Sequence, residues 1–430
     1  MSWLKRLRYN PLGKNNNRKG VALILAATSL VLMVYIASEV SMDSTIEYAV
    51  NSQEINRIKA YYAARNSIDI ALLRIKVFQQ ASRLQLPSGF AQELDQIWQF
   101  PFAWPLPVPT SASAIDKEDA AGTLKEALFQ GQYEHQILDE GTKIDVNDLA
   151  SPSKNLRDVT KKQLLNIFEQ KIQSDDKFRE QYQNYRFEEL VNRIIDWMSP
   201  QNTSPNGGDK RAPFQNLGEG YPPNRGFRTI DELRLVPGMS EEFFNILSPL
   251  VTIYGMKAIN PNTSSEAVLK SLDPGITTEA VKEAIERRND VEKGGPFKGG
   301  TSEECRNDFK SFIESRGARL AAEFEQIPFV CDKVMNFKII ATGRSGSGKG
   351  AVQKKITVVV MDINKAALQI RTYIDKEKQQ QQQGSTANPN PGGATNPNNP
   401  NQGSSGPTSG TSQQEPLPKG RPRIVYWSEI

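Results

Sequence analysis

Few side chains of this sequence could carry out acid–base or metal chemistry. The chain has one histidine, His135, and two cysteines, Cys305 and Cys331. A zinc site of Cys and His ligands needs about four of them, so this ligand count nearly excludes one. A serine–histidine pair would have to use His135, which lies in "QYEHQILDE", and the alternation of that segment is typical of a strand. We therefore interpret His135 as a plain strand residue and expect no enzyme activity.

The segment "GRSGSGKG" at residues 343–350 nearly matches the phosphate-binding loop G-x-x-x-x-G-K-[ST]. Its last position is Gly350, which has no hydroxyl to hold Mg²⁺. The strand-like "AVQKKITVVV" follows, although a phosphate loop needs a helix there so that amide groups meet the phosphate. We predict a glycine-rich loop between the two strands of a hairpin, and no nucleotide site.

Two helix–Pro–Gly–helix units, with breaks at Pro237-Gly238 and Pro274-Gly275, resemble helix-hairpin-helix elements. Such elements bind DNA when their turns offer basic residues to phosphates, but acidic residues flank both turns here. We therefore do not expect a nucleic-acid partner. A membrane-anchored helix-hairpin-helix protein for DNA binding or DNA uptake is kept as the alternative function.

The composition is that of a globular chain with an exceptional N-terminus. Its 430 residues are 38% hydrophobic and 24% charged, a length typical of about two or three domains. Residues 1–20 carry six basic side chains and no acidic one, whereas the rest carries 47 basic and 49 acidic side chains. The basic lead predicts that residues 1–20 stay in the cytoplasm. The near-neutral remainder gives no support for a nucleic-acid surface.

An apolar run of 18 residues, Val21–Ser38, follows the basic lead. As a helix it would be about 27 Å long, close to the roughly 30 Å hydrocarbon core of a bilayer. It is longer than the apolar part of an ordinary secretory signal, which leaves a plain anchor or an anchor that is cut and kept.

No proline or glycine interrupts the following residues up to about Leu86, which predicts one continuous rod from Val21. Spacings of three and four place seven residues on one face that would pack against similar helices or in a core: Ile55, Ile58, Tyr61, Arg65, Ile68, Leu72 and Ile75.

The junction of "RKG" with "VALILA" resembles the processing site of type IV pilin-like precursors. In that family a prepilin peptidase cuts after the glycine, here between Gly20 and Val21, and the new N-terminus is methylated. Most members carry Glu at the fifth mature position, where this sequence has Leu25, and Phe or Met where it has Val21. Both departures are similar to the K-type minor pseudopilin of type II secretion systems.

The resemblance implies an α+β fold with a long N-terminal transmembrane helix packed on a small antiparallel sheet, as in pilins. A large inserted all-α domain would contain the helix-hairpin-helix-like units. "KIDVNDL", "DELRLVPGM" and "INPNTSSEAVLKSL" are similar to parts of K-type proteins, and "YEHQILDEGTKIDVNDLA" (133–150) predicts a strand pair with Gly141 in the turn. Thr229 and Glu232 have the spacing of a capping box at the start of a helix.

The expected organisation divides the chain into eight segments. A leader that is removed (1–20) is followed by the membrane-spanning part (21–38) and the periplasmic part (39–86) of the N-terminal helix. The first part of the pilin-like domain (87–150), the inserted helical domain (151–325) and the second part of the pilin-like domain with its hairpin (326–378) come next. A disordered low-complexity linker (379–420) and a C-terminal strand (421–430) end the chain.

Outside the cytoplasm, Cys305 and Cys331 are expected to form a disulfide, with two buried free thiols as the alternative. K-type proteins often have a run of carboxylates after an Asp–Trp pair, which implies a calcium site. The carboxylates of this stretch are few here: Asp196 of the pair itself, then Asp209 and Glu219. Calcium prefers about six to eight oxygen ligands, and amide oxygens such as Asn202 would have to complete the set.

The resemblance implies assembly rather than catalysis. A buried Glu at the fifth mature position would pair with the N-terminus of a neighbouring subunit, and Leu25 offers no such partner, which favours the tip of the pseudopilus. The expected partners are the I-type and J-type minor pseudopilins, the major pseudopilin, the prepilin peptidase, inner-membrane secretion components and the secreted substrate. The expected location is the bacterial inner membrane, single-pass, with the N-terminus cytoplasmic and the bulk periplasmic.

Overall fold

The computed structural model describes residues 16–81, 97–105, 118, 122, 131–331, 336–346, 348–385 and 422–430. The chain divides into two compact units. The first draws on Met1–Asn66, Ala103–Glu134 and Thr342–Lys355. The second draws on Ser67–Phe102, His135–Ala341 and Ile356–Ile430.

The N-terminal helix, α1, runs without interruption from Asn16 to Ala81. It begins before the expected cleavage site, and residues 82–86 of the predicted rod lie outside the described residues. After Gly20 the helix contains no glycine or proline, so nothing in its sequence removes a backbone hydrogen bond or loosens the chain.

The buried face of α1 differs from the expected one in its first part. Ile68, Leu72 and Ile75 are buried, but Ile55 and Ile58 are more than half exposed. Small residues mark the buried face instead, at Ala60, Ala63, Ala64, Ser67 and Ala71. A helical stripe can be identified by its small residues when a neighbouring backbone approaches closely, and hydrophobicity alone misses that signal.

A five-stranded sheet has the strand order β1-β2-β5-β6-β7. Its strands are β1 (Phe102–Trp104), β2 (Gln132–Asp139), β5 (Phe337–Ser345), β6 (Val352–Val360) and β7 (Ile424–Glu429). The C-terminal strand β7 pairs antiparallel with β6, from Ile356 opposite Glu429 to Val360 opposite Ile424. β1 lies between Pro101 and Pro105.

A strand pair within residues 133–150 was a wrong prediction. β3 is only Ile144–Asp145, and it pairs in parallel with β4 (Val251–Thr252) in a separate two-stranded sheet. The Asp145 carboxylate explains this choice, because it accepts hydrogen bonds from the Gly255 amide and from Lys257, both just beyond β4. Side-chain chemistry from a distant part of the sequence therefore selects the partner of β3.

The residues between β3 and β5 are mainly helical. The helices are α2 (Lys154–Ser174), α3 (Asp176–Tyr182), α4 (Phe187–Met198), α5 (Glu241–Leu247), α6 (Glu266–Lys270), α7 (Thr278–Asn289) and α8 (Ser302–Ser315). Short 3₁₀ helices lie at Val146–Ala150, Ala212–Leu217, Ile230–Leu235 and Ala322–Gln326. One continuous apolar cluster, from Ile144 to Phe329, fills the interior of this region. The expected α+β class, with a long N-terminal helix and an added, mostly helical domain, is confirmed.

Side-chain caps explain where these helices begin. Ser or Thr hydroxyls at five N-caps each accept a hydrogen bond from a backbone amide of the first turn, at Ser153, Ser240, Ser265, Thr277 and Thr301. Such a cap stabilises a helix by about 1 kcal/mol. The predicted capping box at Thr229 is wrong, because its side chain caps nothing. Glu232 binds Arg225 and the Arg228 amide instead.

A final helix, α9 (Ile363–Ser385), was not expected from the sequence. The predicted disordered linker began at residue 379, so residues 379–385 correct that boundary, and residues 386–420 lie outside the described residues. Glu377 of α9 accepts hydrogen bonds from the Ser153 hydroxyl and from the Lys154 and Asn155 amides at the start of α2. A carboxylate at a helix N-terminus is favourable, so α9 is fixed to α2 by this contact.

Candidate assembly surface and inserted domain

The first half of α1 exposes nearly all of its apolar side chains. Over Gly20–Gln80 the helix is long and apolar enough to cross a membrane, and its most apolar window is wholly exposed. Leu25 is 64% exposed and Val21 is 57% exposed. Because these side chains touch no other element of the described chain, their stability must come from lipid or from another protein.

Apolar exposure continues beyond the expected membrane span. We define the outer face of α1 as six large apolar side chains of this stretch that are each at least half exposed and that together spread over more than half of the helix circumference: Ile46, Tyr48, Val50, Ile55, Ile58 and Tyr62. Arg65, which is exposed, follows them along the helix. An exposed apolar series beyond the expected membrane span is typical of a surface that another protein covers.

Residue Gly343, the first glycine of the "GRSGSGKG" segment, is explained by packing rather than by phosphate binding. A Cβ atom there would lie 2.0 Å from the Ala60 carbonyl oxygen and 2.4 Å from the Ala64 amide nitrogen. Only glycine allows β5 to approach α1 this closely. Asn56 donates to the Gly350 carbonyl and accepts from the Ser345 hydroxyl, so it holds the loop between β5 and β6 in place. No helix long enough to bind a phosphate follows this loop.

The one histidine is part of a buried polar cluster. The Arg74 guanidinium, which can only donate, binds His135 Nε2 at 2.8 Å, and Ser67 Oγ lies 2.9 Å from His135 Nδ1. The neutral ring must therefore carry its proton on Nδ1 and donate it to Ser67. A histidine in that state cannot accept the serine proton, so this Ser–His pair is not arranged for nucleophilic catalysis. Burial and Arg74 lower the pKa of His135 to about 4.

A buried charge cluster lies where the chain enters the helical domain. The Lys257 ammonium forms ion pairs with Asp145 and, at 2.7 Å, with Asp148. Lys257 has a left-handed backbone, with φ of 65°, which is unusual for a residue other than glycine. Burial and the neighbouring Asp145 raise the pKa of Asp148 to about 7. The carboxylates raise the pKa of Lys257 despite its burial. The cluster joins the segment at β3 to the segment after β4.

The cysteines expected to pair are joined in a disulfide, Cys305–Cys331, with a Cα–Cα distance of 5.5 Å. The bond connects α8 to the segment that leads back towards β5. Asn262 supports the same region, because its amide donates to the Phe297 and Cys331 carbonyls and its oxygen accepts from the Phe297 amide.

The structure does not bring together the three carboxylates of the expected calcium site. Asp196 is buried in α4 and accepts from the Ser204 hydroxyl, Asp209 accepts from the Arg211 amide in a loop, and Glu219 is exposed. Among the described residues, no three acidic, histidine or cysteine side chains are grouped so that they could hold a metal ion. Sequence reasoning missed Lys210, which is fully buried in the same loop and donates to the Ser199 carbonyl and to Asn224 Oδ1.

The turns of the two helix-hairpin-helix-like units are occupied by protein contacts. Gly238 has a φ of 87°, and its surroundings contain the Arg193 guanidinium and the Tyr185 hydroxyl. Arg193 donates to the Pro237 carbonyl. At the second turn, a Cβ on Gly275 would lie 1.9 Å from the Arg319 carbonyl oxygen. Both turns therefore pack against neighbouring segments rather than presenting their amides to a ligand.

Comparison with known proteins gives a match to a protein family and similarity to solved structures. Residues 142–256 match the profile of the family described as "Type II secretion system (T2SS), protein K". No curated protein matches the chain. Among solved structures, the chain is similar to one in the crystal structure of the GspK-GspI-GspJ complex from the enterotoxigenic Escherichia coli type 2 secretion system. The identity is 17% and the TM-score 0.46, over 74% of this chain and 95% of that chain.

The matched segment begins one residue after Gly141 and ends at Met256, just beyond β4. It therefore includes the β3–β4 pair, helices α2 to α5 and two of the three residues of the buried charge cluster, Asp145 and Asp148. The K-type relationship expected from the processing site and the helical insertion is confirmed in this segment, because residues 142–256 match the family model of type II secretion system protein K.

Proposed function

We propose that the chain is a minor pseudopilin of type II secretion, and that it acts by assembling into a fibre rather than by catalysis. The match of residues 142–256 to protein K is the observation that carries this proposal. The exposed apolar helix supports it, because a subunit of a helical fibre must leave such a surface for lipid first and for its neighbours later.

Processing at the N-terminus is the first part of the proposal. Prepilin peptidase is expected to cut between Gly20 and Val21, on the cytoplasmic side, and to leave a methylated Val21. Mass spectrometry of the membrane-extracted chain tests this directly. A Gly20→Leu variant is the matched control, since it keeps the apolar run but removes the expected recognition residue. A mature chain that starts at residue 1, or beyond Ser38, contradicts the proposal.

The position in the fibre is the second part. Leu25 gives no charge partner to the N-terminus of another subunit, and the helical insertion adds bulk that repeated stacking would have to accommodate. We infer that the chain caps the tip and helps to initiate assembly. If the fibre is lengthened by overproducing the major pseudopilin, the number of copies of this chain per fibre should stay constant. A copy number that rises with fibre length contradicts the tip position.

The partners are the third part. The similar solved chain belongs to a complex with GspI and GspJ, and we propose that this chain packs against the corresponding I-type and J-type minor pseudopilins. A photo-crosslinker at Tyr62, which is 53% exposed, should capture them, and the same group at Phe78, which is 3% exposed, is the control. Equal crosslinking at both positions, or none at Tyr62, would remove the proposed contact.

The location follows from the same proposal: the inner membrane before assembly, with one span, the N-terminus in the cytoplasm and the bulk of the chain in the periplasm. Inner-membrane secretion components, the major pseudopilin and the secreted substrate complete the proposed set of contacts. Protease added to spheroplasts should degrade the helical domain. Protection of that domain would indicate the opposite orientation in the membrane.

A further inference from the structure

A loop after α4, residues 199–211, is folded onto the helix by side-chain hydrogen bonds. The Ser204 hydroxyl donates to Asp196 Oδ2 at 2.5 Å, and the Asn192 amide donates to Asn206 Oδ1 at 2.7 Å. The Asn206 amide donates in turn to the Glu189 carbonyl at 2.9 Å. The base of the loop therefore contains a buried carboxylate, Asp196, in an otherwise uncharged network.

The charge of Asp196 needs compensation. Its side chain is fully buried, and among the described residues no donor reaches its second oxygen, Oδ1. An isolated buried carboxylate is strongly unfavourable unless it is neutralised or lies near a cation. Burial accordingly raises the pKa of Asp196, whereas the positive charges of Lys210 and Arg193 lower it. Either a proton on the carboxyl or a positive charge in its surroundings therefore has to compensate the burial of Asp196.

Lys210 supplies such a positive charge. Its side chain is fully buried, and its ammonium donates to the Ser199 carbonyl at 2.5 Å and to Asn224 Oδ1 at 2.6 Å. Asn224 has a left-handed backbone, with φ of 55°. These two oxygens come from the start of the loop and from the next loop along the chain, so one ammonium joins both loops, and its positive charge also acts on Asp196.

The residues do not fit the calcium site that the family resemblance implied. Calcium prefers several carboxylates among about six to eight oxygens, yet Asp196 is the one carboxylate of the expected three that is buried here. A divalent ion beside Asp196 would also lie close to the Lys210 ammonium, and like charges in a buried site repel strongly. Carbonyl and amide oxygens that would suit a metal are bound to the lysine instead.

We propose that Lys210 is the built-in cation of this loop and takes the place of calcium, so that residues 199–226 keep their fold without a metal ion. Because the lysine is part of the chain, it cannot dissociate as a bound ion can. Chelation or a low calcium concentration therefore cannot loosen the loop. The helical domain of this chain would then be equally ordered in calcium-rich and calcium-poor surroundings.

Thermal unfolding of the detergent-solubilised full chain tests the proposal. With the wild-type chain, EDTA or excess calcium chloride should leave the unfolding temperature unchanged. Lys210→Met should lower it by about 10 °C, because the Ser199 carbonyl and Asn224 Oδ1 lose their donor and Asp196 loses the positive charge that acts on it. Lys282→Met, at an exposed position of α7, is the matched control and should change it by less than about 1 °C.

A double variant distinguishes whether Lys210 stabilises the loop through its charge or through the packing of its side chain. Asp196→Asn removes the carboxylate, so Lys210→Met combined with Asp196→Asn should be more stable than Lys210→Met alone. Chymotrypsin cleavage after Phe214, which is fully buried, reports the same loss and recovery within residues 199–226. Three results would overturn the proposal: a fall of several degrees with EDTA in the wild-type chain, a Lys210→Met variant as stable as the control, or no recovery in the double variant.

Discussion

The two halves of α1 are parts of one helix, yet their apolar side chains have opposite surroundings. From Val21 to Tyr48 the large apolar side chains are at least half exposed, as far as Tyr48 at 76%. From Ala60 to Phe78 a stripe of small and branched residues is buried, with Ile75 at 0%. The backbone geometry is the same in both halves, so the difference comes entirely from what lies against each one.

This contrast shows that hydrophobicity in a helix serves two distinct purposes. In the second half, Phe78, Trp98 and Phe337 form edge-to-face ring contacts within one unit of the chain. In the first half no described residue packs on the helix, and the apolar surface gains nothing from the folding of this chain alone. The first half is therefore built for an external environment, and the second half for the fold.

The sharpest test of this contrast compares two neighbouring positions of the second half. Ile75 is fully buried and Leu73 is 60% exposed. Ile75→Ala should lower the free energy of unfolding by about 3–4 kcal/mol, because it removes buried apolar atoms and leaves a cavity. Leu73→Ala should change it by less than about 0.5 kcal/mol. Urea unfolding of the solubilised chain measures both, and similar losses in the two variants would mean that the outer side of the helix is covered as well.

Close packing at Gly343 gives the next largest expected effect. Gly343→Ala places a methyl group against the backbone at Ala60 and Ala64, where neither atom can move independently of α1. We expect a loss of about 2–3 kcal/mol from overpacking. Gly350→Ala is the control in the same loop, since a Cβ there would meet nothing within 4 Å. A Gly343→Ala chain as stable as the control would show that β5 has room to move away from the helix.

The buried half also predicts a pH dependence. The pKa of His135 is lowered to about 4, whereas an unfolded histidine titrates near 6.5. The unfolded chain therefore binds a proton first, so this contribution to stability is complete above pH 6.5 and is lost as the pH falls towards 4. Between pH 7 and pH 5 the loss should be about 2 kcal/mol.

The measurement has to isolate His135, because desolvation raises the pKa of the half-buried Asp139 to about 7, and this carboxyl contributes to stability with the opposite sign. Its stabilisation is present at low pH and is lost as the pH rises towards 7. Unfolding curves of the wild-type chain and of His135→Gln at several pH values give the required difference. If the two chains lose stability in parallel below pH 6.5, the histidine is not responsible.

Local signals made parts of this fold predictable from the sequence. The absence of glycine and proline after Gly20 predicts α1, and the basic lead with "RKG" before the apolar run predicts a relationship that the match of residues 142–256 supports. Alternating apolar residues around residues 343–350 predict two strands with a loop between them. Each of these depends on residues that are close together in the sequence.

The features that were missed depend on partners far along the chain. β3 pairs with β4, more than a hundred residues later, because Asp145 binds Gly255 and Lys257. The glutamine-rich end of α9 reads as disordered, but its helix is fixed by Glu377 at the start of α2. Nothing in the sequence near Lys210 indicates that its side chain is buried, because the Ser199 and Asn224 oxygens that bind it lie in separate loops.

The smallest change in stability is expected for the exposed apolar side chains of α1, which should matter for assembly and not for the fold. Replacing Ile55 and Ile58 by Ala removes two side chains of the outer face, which are 54% and 56% exposed. Because the folded chain buries little of either one, the free energy of unfolding should change by less than about 0.5 kcal/mol. Co-purification with the I-type and J-type minor pseudopilins should nevertheless fall sharply, since an apolar surface between helices loses its contact area. A variant that loses stability as Ile75→Ala does would place this face inside the fold. A variant that keeps both its stability and its partners would show that the outer face has no role in assembly. The exposed apolar side chains of α1 would then serve only contact with lipid.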